Sequence, residues 1–288
     1  MTEFERILET VDWARMAEPQ DDGYDTDVTL RLAESGVSPL RQQPYRRRST
    51  DGEVTFCKGA VAVRQAPDGG MMTDALAPAN VNHPNIPAGG VLLSRWPNAY
   101  TQFTRLMDTV YPYTDPQQAS MGNQALGSSS HSYEEDFGGI HATVDDPLGF
   151  AQALVHEMAH QKLRALGISF ETAERLITND PSQEFESPIR KDRARPMTAV
   201  FHAQYSFIYV TALDLEMLAR ANGNRERQLI LMLLARNVPR MQSGYEEVAR
   251  HVRTDEAGRQ FVEAFMKWSC DVLERGQAEL DANGYGAN

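Results

Sequence analysis

Cysteine is nearly absent: Cys57 and Cys270 are the only two in 288 residues, and no CxxC spacing occurs. A disulfide framework and a cysteine-based zinc site are both excluded by that count, and the pair reads as small hydrophobes. Positive charge is also short. Against 40 Asp+Glu stand 28 Lys+Arg, a net charge of −12, so the overall field repels phosphate backbones and anionic lipid. Nucleic-acid and membrane partners are therefore not expected. No apolar run approaches the roughly 18 residues that span a bilayer. The opening MTEFERILETVDWARM lacks the basic start and apolar middle of a signal peptide, so the expected location is cytoplasmic.

What is present suits a folded chain: 41% hydrophobic and 24% charged residues, with no repeat and no long linker to divide them. We read a single domain over 1–288. Its first part, 1–124, is a helical start followed by a loop-rich region with short strands, and 125–288 is a metal-binding catalytic region. Periodicity predicts a helix over 1–20, a shorter helical pattern around Thr29–Leu32, strands at Val54–Phe56, Val61–Val63 and Val91–Leu93, and a helical stretch over 98–110. Helical patterns follow at 147–166, 196–221, 225–236 and 256–280. The fold class is α+β, with a mainly helical C-terminal half and a small sheet in the loop-rich half. Phe261, Phe265 and Trp268 in the last pattern read as core, with a homodimer face as the alternative. The basic group Arg41, Arg46, Arg47 and Arg48 reads as a solvated loop or as a dock for an acidic peptide or leader segment.

The chemistry starts at His156-Glu157-Met158-Ala159-His160. Asp145-Asp146-Pro147 supplies a helix start and Gly167 a stop, so this HExxH motif sits midway along a helix. Positions i and i+4 share one face, which lets two imidazoles bind one metal ion with Glu157 beside the open position. Zinc and iron(II) both suit such ligands. Leu154, Val155, Met158, Ala159, Leu163 and Leu166 make the helix largely apolar, against a reading as two surface histidines. The third ligand is open. Leu163 and Leu166 stand where a metzincin needs glycine and histidine, which excludes that class. Glu184 or Glu186 would serve a zinc peptidase in which Glu157 is the general base, although both fall in a proline-bracketed loop. His202, in the helix that opens after Arg195-Pro196, is the other candidate; a lone helical histidine is also commonly a satisfied core residue.

The stretch 154–163, together with Ser187-Pro188-Ile189-Arg190, Arg195-Pro196-Met197 and Val200-Phe201-His202-Ala203-Gln204-Tyr205-Ser206-Phe207, resembles the HExxH-type peptide β-hydroxylases. Gly127-Ser128-Ser129 and Gly138-Gly139-Ile140 are similar to that family as well, and the likeness runs over about 125–215. These are iron(II)- and 2-oxoglutarate-dependent oxygenases that tailor ribosomally made peptides. The resemblance implies that His156, His160 and His202 bind Fe(II), with Glu157 coordinating or standing just behind. It also implies that Arg195, with Arg190 as second choice, holds the distal carboxylate of 2-oxoglutarate. O2 and the cosubstrate then hydroxylate a side-chain β-carbon of a precursor peptide, giving succinate and carbon dioxide. A zincin-like helix is the structural analogy, and Zn(II) belongs to the peptidase alternative. In HExxH proteins an edge strand can hold extended substrate by adding it to the sheet. Our candidate is 137–144, with His141 directed towards the site.

Overall fold

The computed structural model describes residues 2–35, 43–66, 75–117, 127–172 and 175–285. Among them eight α-helices surround a small mixed sheet: α1 (Glu3–Glu9), α2 (Tyr24–Glu34), α3 (Asn85–Leu93), α4 (Pro97–Leu106), α5 (Pro147–Ala165), α6 (Met197–Ala219), α7 (Asn224–His251) and α8 (Glu256–Ala282). The strands are β1 (Val54–Phe56), β2 (Val61–Val63), β3 (Ala77–Pro78), β4 (Thr109–Thr114), β5 (Ser130–His131) and β6 (Gly139–Thr143). No helix among the described residues is long and apolar enough to cross a membrane.

β4 is the sheet's centre. β2 and β6 flank it in parallel, β1 closes one side antiparallel to β2, and β5 closes the other antiparallel to β6. β3 pairs with the far end of β4, at Tyr113 and Thr114. All five residues of β6 are buried, as befits a strand with neighbours on both sides and α5 packed over it. α6 lies against α5, and α7 and α8 pack on α6 in turn. α6 has buried residues all round its circumference, the pattern of a helix enclosed by others. One contiguous apolar cluster runs through these layers.

Several local readings change in three dimensions. The start splits into α1 and a 3-10 turn at Trp13–Met16, because Thr10 caps α1 by bonding back to the Ile7 carbonyl. Val91–Leu93 is the end of α3 rather than a strand. Gly89 makes that possible: a Cβ there would stand 2.4 Å from the Phe150 ring, so only glycine lets α3 lie this close to α5. The 98–110 pattern ends as a helix at Leu106, and β4 starts at Thr109. The 225–236 pattern continues to His251 through Pro239, because Val238, Met241 and Val248 keep burying one face beyond it. Our candidate edge strand is interior, since β5 covers its free side with Ser130 opposite Ala142 and His131 opposite His141.

Two members of the basic loop group make internal contacts, while Arg46 is exposed. Arg47 donates to the carbonyls of Ala60, Thr104, Arg105 and Met107, and Arg48 pairs with Asp108 and Asp136, each at 2.6 Å. These guanidiniums fasten the chain before β1 to the sheet. Arg41 lies outside the described residues. Both cysteines are free thiols.

A buried ion pair anchors the N-terminal helices to the centre. Lys162 on α5 donates to Asp25 on α2 at 2.6 Å and to the Tyr209 hydroxyl on α6 at 3.1 Å, and both charged side chains are fully enclosed. Burial opposes the Lys162 charge, but the Asp25 carboxylate and Tyr205 together outweigh it and hold the pKa above the ordinary lysine value. Breaking such a pair from one side strands a charge. Asp25→Ala should therefore lower the unfolding free energy by roughly 3–5 kcal/mol in urea titrations, and a loss below about 1 kcal/mol would contradict this account.

Candidate metal centre

α5 begins where the sequence signals placed it. Asp146 accepts hydrogen bonds from the Leu148 and Gly149 amides, Pro147 occupies the first helical position, and the chain leaves through Gly167 at φ +94°. Gly149 has a second use: a Cβ there would lie 2.3 Å from the Gly127 backbone. Its absence lets the Gly127–Ser130 segment run against the first turns of the helix.

On one face of α5 the Nε2 atoms of His156 and His160 stand 3.0 Å apart, with ring planes at 83°. Two nitrogens at that spacing can share one cation at roughly the 2.1 Å of a metal–imidazole bond. Glu157 Oε1 is 3.9 Å from His156 Nε2. The ligand atoms of His156, Glu157 and His160 all lie within 4.8 Å of one another, and no other His/Cys/Asp/Glu group among the described residues is so placed to hold a metal. Burial lowers the pKa of His156 and takes that of His160 well below the ordinary histidine value, which favours the neutral, ligating form.

His202 arrives at this cluster, one ring behind it. Its Nε2 lies 2.9 Å from the Ile168 carbonyl, and its Nδ1 lies 3.0 Å from His160 Nδ1. A carbonyl only accepts, so His202 carries its proton on Nε2 and, being neutral, accepts at Nδ1. Burial drives its pKa down to about 3. His160 must then donate from Nδ1, which leaves its Nε2 lone pair facing His156 and the metal position. Both nitrogens of His202 are engaged in this arrangement, and it is not among the grouped metal donors. Phe170 stacks on His202 with ring centroids 4.3 Å apart and meets His160 edge-on at 4.9 Å.

Glu157 is enclosed, and each of its oxygens accepts a serine hydroxyl: Ser130 Oγ at 2.7 Å and Ser132 Oγ at 2.6 Å. Arg164 Nη1 in turn donates to the Ser132 hydroxyl and carbonyl, both at 2.9 Å. Arg164 is itself buried; desolvation lowers its pKa, and the Glu157 and Glu134 carboxylates act to restore it. The carboxylate beside the metal position thus balances a buried guanidinium through one serine. Sequence reading missed Ser130, Ser132 and Arg164. Their signal was spacing: two serines two apart along an extended segment, and an arginine four and seven residues after His160 and Glu157 on one helix face.

The other candidates lie apart. Arg190 is exposed and paired with Asp192 at 2.8 Å. Arg195 bridges through its backbone to Phe185, and its neighbouring charges are Arg193, Arg190 and Asp192. Its Nε is buried with no hydrogen-bond partner. Glu184 lines a surface hollow with Arg250 and His251, and the Glu186 amide donates to Glu247. Neither glutamate joins the metal donors. His141 stacks on Tyr111 and meets Tyr133 edge-on, and burial pushes its pKa down to about 4. It also stays outside the donor group.

A cleft of about 320 Å³ opens beside His156. Ser128, Ser130 and Gln152 line it on one side, and Phe207, Arg236 and Arg240 on the other. Phe207 presents its edge to the His156 ring at 4.9 Å. Gln152 is held from below by Asp214, whose Oδ1 accepts its amide at 2.7 Å. Protein-family models give no match to this chain, and none of the curated proteins matches it.

Two predictions follow from these distances. Alanine at His156 or His160 removes a candidate metal donor and should abolish tight cobalt(II) uptake. His202→Ala removes only the orienting bond and should weaken uptake by about 10–100-fold. Equal loss in all three variants, measured by metal titration with folding checked by circular dichroism, would contradict the division of roles. The second concerns Asp214, whose carboxyl burial raises from 3.8 to about 7. Between those values the folded chain binds a proton that the unfolded chain has released, so stability falls as pH rises through the window and levels above it. Asp214→Asn has no charge to bury. Its melting temperature should gain on wild type as pH rises from about 5 to about 8, and a constant difference would show that the carboxyl ionises normally.

Proposed function

We propose that this protein is an iron(II)- and 2-oxoglutarate-dependent oxygenase that hydroxylates a side-chain β-carbon in a ribosomally made precursor peptide. The observation that carries the reading is the donor set: two imidazoles and one carboxylate within 4.8 Å, beside a cleft large enough for a small ligand. Two histidines and a carboxylate with open positions is the ligand chemistry of non-haem iron oxygenases. A zinc peptidase would need a third ligand from Glu184 or Glu186, and both stand elsewhere.

Bound iron with 2-oxoglutarate supplies the oxidising chemistry. The chain's own residues do the rest. His156 and His160 hold the metal, and His202 fixes which nitrogen of His160 faces it. Ser130 and Ser132 hold Glu157 in place at the edge of the site, and Arg164 holds Ser132 in turn. Phe207 and Val210 form an apolar wall that keeps water from one side of the cleft, as uncoupled oxidation must be prevented. α5 plays the part of the metal helix in zincin-like proteins, and the peptide enters from the open side of the cleft.

The test is anaerobic reconstitution with iron(II) followed by 2-oxoglutarate. A visible charge-transfer band in wild type that is lost in His156→Ala is the expected result. A colourless complex, tight zinc retention and cleavage of peptide substrates would overturn the oxygenase reading in favour of the peptidase.

A further inference from the structure

Arg236 and Arg240 stand one helical turn apart on α7, and both line the cleft that exposes His156. In a chain of net charge −12, most guanidiniums have carboxylates to meet. These two do not: among the described residues neither forms an ion pair, and the only hydrogen bond of Arg236 is a 3.4 Å contact from Nε to the neighbouring Asn237 side chain. Like charges four apart on a helix repel. Burial lowers the pKa of Arg236, Asp214 acts to raise it, and Arg240 lowers it further. Asp214 attracts Arg236 without an ion-pair contact, its oxygens accepting instead from Gln152 at 2.7 Å and Asn237 at 3.4 Å. In the basic loop group Arg47 and Arg48 are committed to internal contacts, and none of its described members lines this cleft.

We propose that Arg236 and Arg240 form a carboxylate-binding subsite, holding a ligand whose other end reaches the metal position at His156. This inference rests on the proposed function in taking that position as the reactive end of the cleft. Two guanidiniums on one face present paired donors that match a carboxylate's two oxygens. The cleft's volume of about 320 Å³ admits a short dicarboxylate or one acidic residue of an extended peptide, which offer the same group. The site differs from the Arg195 and Arg190 positions, which do not line this cleft.

The experiment uses metal-free, full-length protein and two probes in calorimetric titrations: glutarate, which has no keto group to chelate a metal, and N-acetyl-Gly-Asp-Gly-amide. At least one should bind, with affinity falling as salt rises. Arg236→Gln and Arg240→Gln should each weaken it tenfold or more. Binding of glutarate alone assigns the subsite to a free dicarboxylate; binding of the peptide alone assigns it to an acidic substrate residue. Failure of both probes to bind, or unchanged affinity in both variants, overturns the proposal. Cobalt(II) uptake by wild type without any carboxylate tests the metal centre separately, so loss of one reading is distinguishable from loss of the other.

Discussion

The Ile168 carbonyl is the fixed point on which the candidate site depends. It can only accept, so it forces the proton of His202 onto Nε2; His202 then accepts from His160, and His160 is left with a bare nitrogen towards His156. Two neutral rings are ordered by one backbone atom. That atom lies just past the end of α5, where the chain leaves the helix through Gly167, so the helix stop and the tautomer of His160 are one structural decision. Burial keeps the rings neutral, and Phe170 limits their rotation by contacting His160 and His202 together.

α5 carries a second arrangement of the same kind. Glu157, Ser132 and Arg164 form a compensated charge chain on one side of the helix, and Lys162 with Asp25 forms another on the opposite side. Each links a buried charge to a counterpart of opposite sign. The helix is thereby held from the sheet side through β5 and from the N-terminal side through α2. A site that must present two nitrogens 3.0 Å apart gains from a support that cannot rotate.

The parts of this arrangement that were legible in the sequence are those decided within a few residues. The HExxH spacing, the Asp146 cap, the Gly167 stop and the helix opening after Pro196 are local signals, and each appears where it was read. That His202 comes to the cluster was also readable, from the apolar helix after Pro196 packing beside the HExxH helix. Its role was not, because that depends on a backbone carbonyl 34 residues away. β5 is only two residues long and gives no periodic signal, so the strand beside it looked like an edge and the serines that hold Glu157 went unnoticed. Arg236 and Arg240 were not paired for a related reason: the pattern read at 225–236 stops short of Arg240, whereas packing on either side of Pro239 carries α7 onward.

The claim at the centre of this account is the order of protons along the histidine chain, and nitrogen-15 NMR of histidine-labelled, metal-free protein near neutral pH reads it directly. The account predicts His202 protonated at Nε2 and bare at Nδ1, with His160 protonated at Nδ1 and bare at Nε2. A His202 ring protonated at Nδ1, or a His160 ring protonated at Nε2, would contradict it and return His202 to the status of a metal ligand.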